Sequence, residues 1–297
     1  MVRLLLLLLI LFGPVDAALA ASERLVRFGL TAVVVRENLS FFSRWAEYLS
    51  SRVGYPVRFV QRRSYREIMQ LLEKGELDVA WICGYPFVRD RDPKFLELLA
   101  VPVFQGAPLY RSYIIVHRDS PYHLLEQLRG RVFAFSDPDS NSGYLVPRLL
   151  VTRGGGDPRR YFRLSFFTFS HAETVEAVVD RVADGGAVES YVWEFLRRTR
   201  PELTSQTRVI LQSETFGFPP LVVHAGLERG LRDRLATAIT GMSESADGRR
   251  LLGELALDRF GLFSPDLYDS IRDAAASLEK SLSRAGLTAA TSVAVPR

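Results

Sequence analysis

Cysteine is almost missing from this chain. With Cys83 alone among 297 residues, no intramolecular disulfide can form, and neither a paired-cysteine redox motif nor a multi-cysteine zinc site is available. Histidine is scarce too: His117, His123, His171 and His224 are scattered, without the His-Glu-x-x-His spacing that holds a catalytic zinc. A nucleophile elbow, a phosphate-binding P-loop and a dinucleotide fingerprint are likewise missing. Together these absences point away from an enzyme, and no metal or cofactor is expected. The basic residues form no stripe, because Arg62-Arg63, Arg159-Arg160 and Arg197-Arg198 are dispersed pairs. They read as solvated surface, so nucleic acid is not an expected partner.

Long apolar runs are also rare, and the one that stands out is at the start. Arg3 precedes an unbroken apolar stretch from Leu4 to Phe12, and Ala18-Leu19-Ala20 is a small-x-small site before Ala21. This is the pattern of a cleavable secretory signal over residues 1–20. The stretch is far shorter than the roughly 20 residues that span a bilayer. The expected product is exported to the periplasm, and without a cysteine at the cleavage site no lipid anchor is indicated. Removing 1–20 leaves 37 bases against 33 acids, a mild excess. Cys83 follows Val79-Ala80-Trp81-Ile82, which reads as a buried strand, and packing is its expected role.

The remaining residues exceed one ordinary core and suggest two lobes. Strands alternate with helices, which argues for an α/β protein. The spacing predicts strands at 25–30, 57–61 and 77–82, with helices at 38–53 and 65–74. In the first helix Phe41, Phe42, Trp45, Tyr48 and Leu49 recur at three and four residues and mark its core face. Extended segments follow at 96–104 and 110–117. Short helices are expected at 120–128, 143–153, 172–183 and 192–198, with strands at 131–135, 163–168, 186–188 and 207–213. Two prolines in Phe216–Val223 oppose a central strand and favour a return crossing between lobes. Helices at 226–243, 246–255 and 265–285 complete the chain, and the tail from 287 to 297 has little to pack. Tyr85 and Pro86 fit either a turn against the core or the lining of a cleft.

Ligands of open α/β sheets bind where strand ends meet helix starts. The segment Phe135-Ser136-Asp137-Pro138-Asp139-Ser140-Asn141-Ser142-Gly143-Tyr144 occupies such a place, between an expected strand and an expected helix. Backbone amides, the helix dipole and short hydroxyls there could hold an anion. The same residues also make an ordinary capped turn.

Three stretches of this sequence resemble the phosphate, phosphite and phosphonate substrate-binding proteins of ABC importers. They are Tyr65 with Leu71–Trp81, Tyr110–Val116, and Asp137–Pro147, occurring in order within about residues 25 to 265. The resemblance implies a two-lobed periplasmic-binding-protein fold of type II, with two mixed sheets flanked by helices and joined by two hinge crossings. It implies lobe 1 at 21–114 and 217–286, lobe 2 at 115–216, and a monomer that delivers a small anionic ligand to an importer permease by hinge closure. The ligand residues it implies are Tyr65, Tyr110 or Tyr113, Ser140, Asn141, Ser142, His171 and Glu189. Asn141 stands where the family usually has threonine or serine, which puts the ligand preference in question. His171 could contact an oxyanion or simply cap a helix. Glu189 could accept a proton from a monoprotonated oxyanion or pair with a ligand amine, or form a surface ion pair. A sensory module of the same fold and a sulfonate binder are the alternatives.

Overall fold

The computed structural model describes residues 24–31, 39–90 and 95–284. The expected signal peptide and the 287–297 tail lie outside them. The chain opens with β1 (Val26–Leu30), α1 (Leu39–Val53), β2 (Val57–Gln61), α2 (Tyr65–Glu73), β3 (Val79–Trp81), α3 (Gly84–Arg89) and β4 (Leu96–Val103). It continues with β5 (Leu109–His117), β6 (Val132–Phe135), α4 (Val146–Arg153), β7 (Leu164–Phe167), α5 (His171–Val179), β8 (Gly185–Glu189), α6 (Ser190–Thr199), the one-turn α7 (Pro201–Thr204) and β9 (Thr207–Gly217). It returns through β10 (Leu221–His224), α8 (Arg229–Thr240), α9 (Ala246–Glu254), β11 (Arg259–Gly261) and α10 (Asp269–Arg284).

These strands form two mixed sheets, ordered β11-β4-β10-β3-β1-β2 and β7-β6-β8-β5-β9. β1 pairs in parallel with β2 and β3, while β10 inserts antiparallel between β3 and β4. In the second sheet β6 runs parallel to β7 and β8, and β5 runs antiparallel to β8 and β9. The aromatic stripe of α1 covers the first sheet: Phe41, Phe42, Trp45 and Leu49 are buried, and Trp45 packs its ring against Phe28, Phe59 and Trp81. Burying each such side chain is worth about 1.5–3 kcal/mol.

Two crossings join the halves. β5 lies wholly in the second sheet from Leu109 onward, so the first crossing precedes Leu109 instead of following Ile114. The reason is pairing: Leu109 and Tyr110 already face Gly217 and Phe216 of β9. The second crossing is Phe218-Pro219-Pro220. Its prolines cannot donate to a ladder, but their carbonyls are used, Pro219 O accepting the Trp81 indole N–H at 3.0 Å and Pro220 O the Ile82 amide at 3.0 Å. Immediately after them β10 is a central strand. The final helix α10 packs against α3 in the first half and against α4 and β9 in the second, so it is shared rather than belonging to one side.

Several elements differ from the spacing-based expectation. Only Leu125–Leu128 of the helix expected at 120–128 forms, as a 3₁₀ turn. The Gln127 side chain accepts the backbone N–H groups of His123 and Leu124, which satisfies them without helical bonds. β9 runs four residues beyond Ser213 to Gly217, and α3, α7 and β11 are too short to leave a periodic trace.

Candidate ligand site between the two sheets

The loops and helix starts that follow β2, β3, β6 and β7, and the end of β8, bring Tyr65, Cys83, Ser136–Ser142, His171 and Glu189 into contact between the two sheets. The loop after β6 carries the densest group. Asp137 closes it as an Asx turn, accepting the Asp139 amide on Oδ1 at 2.7 Å, while its carbonyl accepts the Ser140 amide at 3.0 Å. Ser140 caps the next helix by accepting the Gly143 amide at 2.9 Å. That helix starts as a π turn over Asn141–Leu145 before α4. Pro147 explains the widening, since it has no N–H to give to the Gly143 carbonyl and its ring excludes a tight turn there. The bonds close five residues back, Leu145 to Ser140 and Val146 to Asn141, and the freed Gly143 carbonyl accepts the Ser136 amide at 3.3 Å. Gly143 is required: a Cβ there would lie 1.6 Å from Ser136 Oγ.

Tyr65 is the first residue of α2, whose start is fixed by a reciprocal capping box between Ser64 and Glu67. It reaches the second sheet twice, its amide donating to Asp137 Oδ2 at 3.2 Å and its hydroxyl lying 3.3 Å from His171 Nε2. His171, fully buried at the start of α5, accepts the Glu189 amide on Nδ1 at 3.1 Å. From β5, the Tyr110 hydroxyl accepts Asn141 Nδ2 at 2.8 Å, and Ser112 donates to the Ser142 carbonyl at 2.6 Å.

Burial sets the charge states. It pushes the Glu189 carboxyl up to about 8 and the His171 imidazole down to about 3. Both are therefore largely neutral near pH 7, so their 3.7 Å approach is a contact of neutral groups and not an ion pair. Burial also raises the Tyr65 and Tyr110 hydroxyls well above their usual value and the Cys83 thiol to about 12. Apart from Asp137, which burial raises only to about 6 and whose carboxylate is taken up by the Tyr65 and Asp139 amides, the cluster thus presents neutral donors and acceptors. Among the described residues, Ser136 Oγ, Asn141 Oδ1, Ser142 Oγ and both Glu189 carboxyl oxygens are buried without a hydrogen-bond partner. Unsatisfied buried polar atoms are costly, about 1–3 kcal/mol each, and five in one place mark a surface built to meet another polar molecule.

Of the eight residues singled out in the sequence, Tyr65, Tyr110, Ser140, Asn141, Ser142, His171 and Glu189 come together here. Tyr113 does not. It lies on the other face of β5, three residues from Tyr110, with its ring 6.0 Å from Trp193. Ser140 spends its hydroxyl on the helix cap. Glu189 is buried, which removes the surface ion-pair alternative. Tyr85 packs under the Arg89 guanidinium at 5.5 Å. Cys83 is buried as expected, yet it also accepts the Asn141 amide at 3.3 Å.

A protein-family model described as "ABC transporter, phosphonate, periplasmic substrate-binding protein" matches residues 28–268. The chain belongs to that family. Among curated relatives, the phosphonates-binding periplasmic protein of Escherichia coli (strain K12) is 23% identical over 242 residues, covering 79% of this chain and 71% of its own. Among solved structures, a binding protein component of an ABC phosphonate transporter from Pseudomonas aeruginosa is 25% identical with a TM-score of 0.81, covering 91% of each chain. PhnD1 from Prochlorococcus marinus (MIT 9301), in complex with methylphosphonate, shares the fold with a TM-score of 0.76 at 19% identity, covering 87% of this chain and 99% of its own. The family is one of periplasmic substrate-binding proteins with the type II fold, as the resemblance of the three stretches implied.

Sequence reasoning missed Ser136, Asp137 and Cys83 as members of the cluster. The first two stood inside the polar loop and the third beside a strand end, so position relative to the strands was the available signal.

Proposed function

We propose that this chain captures a small phosphorus oxyanion, of phosphonate, phosphite or phosphate type, and delivers it to an ABC importer permease. The observation that carries the reading is the set of unpartnered atoms on Ser136, Asn141, Ser142 and Glu189, enclosed by Tyr65, Tyr110 and His171 between the two sheets. Short hydroxyls and amides at the start of a continuous helical segment suit a tetrahedral anion without a formal positive charge. Glu189 with its proton can donate to a ligand oxygen, and without it can accept from a P–OH or an ammonium group. The curated relative and the methylphosphonate-bound structure support the ligand class by similarity.

In this reading the two sheets with their helices act as lobes, divided near Leu109 and Gly217, and ligand binding favours the closed arrangement. The exported form begins after residue 20 and acts as a monomer. Calorimetric titration of the purified exported protein against phosphate, phosphite, methylphosphonate, an aminoalkylphosphonate, sulfate and taurine tests the reading. Tight binding of one phosphorus oxyanion, weakened in Ser142→Ala, is the expected result. No heat with any phosphorus oxyanion, or preference for taurine, would overturn the ligand class.

A further inference from the structure

Asp139 stands one residue before the cap of the polar loop, yet its side chain turns away from the unpartnered atoms and across to the other half. Its carboxylate is only 3% exposed. Oδ1 accepts Arg89 Nη1 at 2.5 Å and Oδ2 lies 3.5 Å from Arg66 Nε. Arg66 belongs to α2 and Arg89 ends α3, both on the first sheet, whereas Asp139 follows β6 of the second. The pairs therefore exist only while the two halves are together. The hydrogen bonds that Arg89 donates to Asp90 and Asp139 hold it firmly in its charged form, and Asp90 anchors the guanidinium from its own side by accepting from Nε and Nη2.

The loop makes this pairing consequential for the site. The Asx turn ties the Asp139 amide to Asp137, and the Asp137 carbonyl ties down Ser140. Asp137 in turn accepts the Tyr65 amide from the first half at 3.2 Å. A force on Asp139 is thus passed within one turn to the cap that places Asn141, Ser142 and Gly143. On another part of the interface the contacts are neutral or single-charged: Tyr191 donates to the Leu255 carbonyl at 2.6 Å, and Arg198 to the Gly253 carbonyl at 3.1 Å.

Resting on the oxyanion-capture reading for its ligand arm, we propose that Asp139, with Arg89 and Arg66, is an ionic latch that holds the closed arrangement without touching the ligand and so sets how long the ligand stays. An ion pair with one buried partner contributes more than a fully exposed pair, while the half-exposed guanidinium groups, 37% for Arg89 and 66% for Arg66, leave it open to screening by salt. Truncating one partner of such a pair acts chiefly on dissociation.

The test has one arm that needs no ligand. The radius of gyration of the ligand-free protein is measured by solution scattering for the wild type, Asp139→Asn and the double variant Arg66→Gln/Arg89→Gln, at low and high sodium chloride. The latch predicts a larger radius in both variants than in the wild type at low salt, and a rise with salt in the wild type that the variants lack. The charge swap Asp139→Arg/Arg89→Asp, if the pair is what matters, returns the radius toward the wild-type value. In the second arm, stopped-flow dissociation of methylphosphonate should speed up by on the order of tenfold in Asp139→Asn with little change in association. Unchanged radii and salt responses in both folded variants would overturn the latch. Should methylphosphonate bind none of the proteins while the radii behave as expected, the ligand reading fails and the latch stands.

Discussion

Nδ1 of His171 accepts the backbone N–H of Glu189 at 3.1 Å. That bond makes Nδ1 an acceptor, so the one proton of the neutral imidazole sits on Nε2, which faces the Tyr65 hydroxyl and the Glu189 carboxyl. The tautomer is thus set by a strand end of the same sheet, and the histidine meets Tyr65 as a donor.

The pH dependence of stability follows from the same pair. Glu189, raised from 4.5 to about 8 in the fold, contributes stability below its unfolded value that is lost as pH rises toward 8. His171, lowered from 6.5 to about 3, contributes stability above 6.5 that is lost as pH falls toward 3. Asp137, raised mainly by burial from 3.8 to about 6, follows the Glu189 direction at lower pH. Between pH 6.5 and 8 the Glu189 contribution dominates these three, so the melting temperature without added ligand should fall across that window. Glu189→Gln should flatten the fall and gain about 1–3 kcal/mol at pH 8. A wild-type slope retained in the variant would refute the assignment.

Ser142 separates binding from stability. Among the described residues its buried hydroxyl has no hydrogen-bond partner, so Ser142→Ala should leave the melting temperature equal or raised while weakening oxyanion binding about tenfold, one hydrogen bond to a charged group. Calorimetry and thermal denaturation of the same samples check it. A loss of stability with unchanged affinity would make the hydroxyl structural.

Gly143→Ala should fail badly, because the added methyl meets both Ser136 Oγ at 1.6 Å and Ser136 Cβ at 2.7 Å. A loss of about 1–3 kcal/mol and of ligand binding is expected from overpacking. Adding Ser136→Gly removes both atoms and should recover most of the stability in chemical denaturation. If the double variant is no better than the single one, the clash is not the cause.

Cys83 should be inert in the native protein. It is fully buried and its thiol is pushed up to about 12, so thiolate at neutral pH is negligible. A thiol-disulfide reagent should react only as fast as the protein opens, fully and rapidly in guanidinium, and more slowly with bound ligand. Rapid labelling under native conditions that ligand leaves unaffected would contradict this environment.

What the sequence made legible was local. The three- and four-residue recurrence from Phe41 to Leu49 marked the buried face of α1, and Ser140–Gly143 stood out because polar, cap-forming residues filled the gap between an apolar strand and a helix. Strand alternation already separates Tyr110 from Tyr113, three positions apart on β5; the bonds of Tyr110 with Asn141 and of Ser112 with the Ser142 carbonyl show which face looks at the loop. The contacts across the halves left no trace. Arg89 and Asp139 are 50 residues apart, and nothing in either neighbourhood names the other. The π turn escaped as well, since Pro147 reads as a normal early-helix proline until the Gly143 carbonyl is seen bonded elsewhere.

The insertion of β10 between β3 and β4 fixes an order of assembly. A chain that has emerged as far as Gly217 holds every strand of the second sheet, but β3 and β4 of the first have no bond to one another, and the strand that joins them is Leu221–His224. During synthesis from the amino terminus, the half encoded in the middle of the sequence can therefore close before the half that contains the start. β1, β2 and β3 can pair early, but the outer edge of β3 and the whole of β4 must wait for residues more than a hundred positions downstream. That interval is when this protein is most exposed to wrong pairing and most in need of an escort.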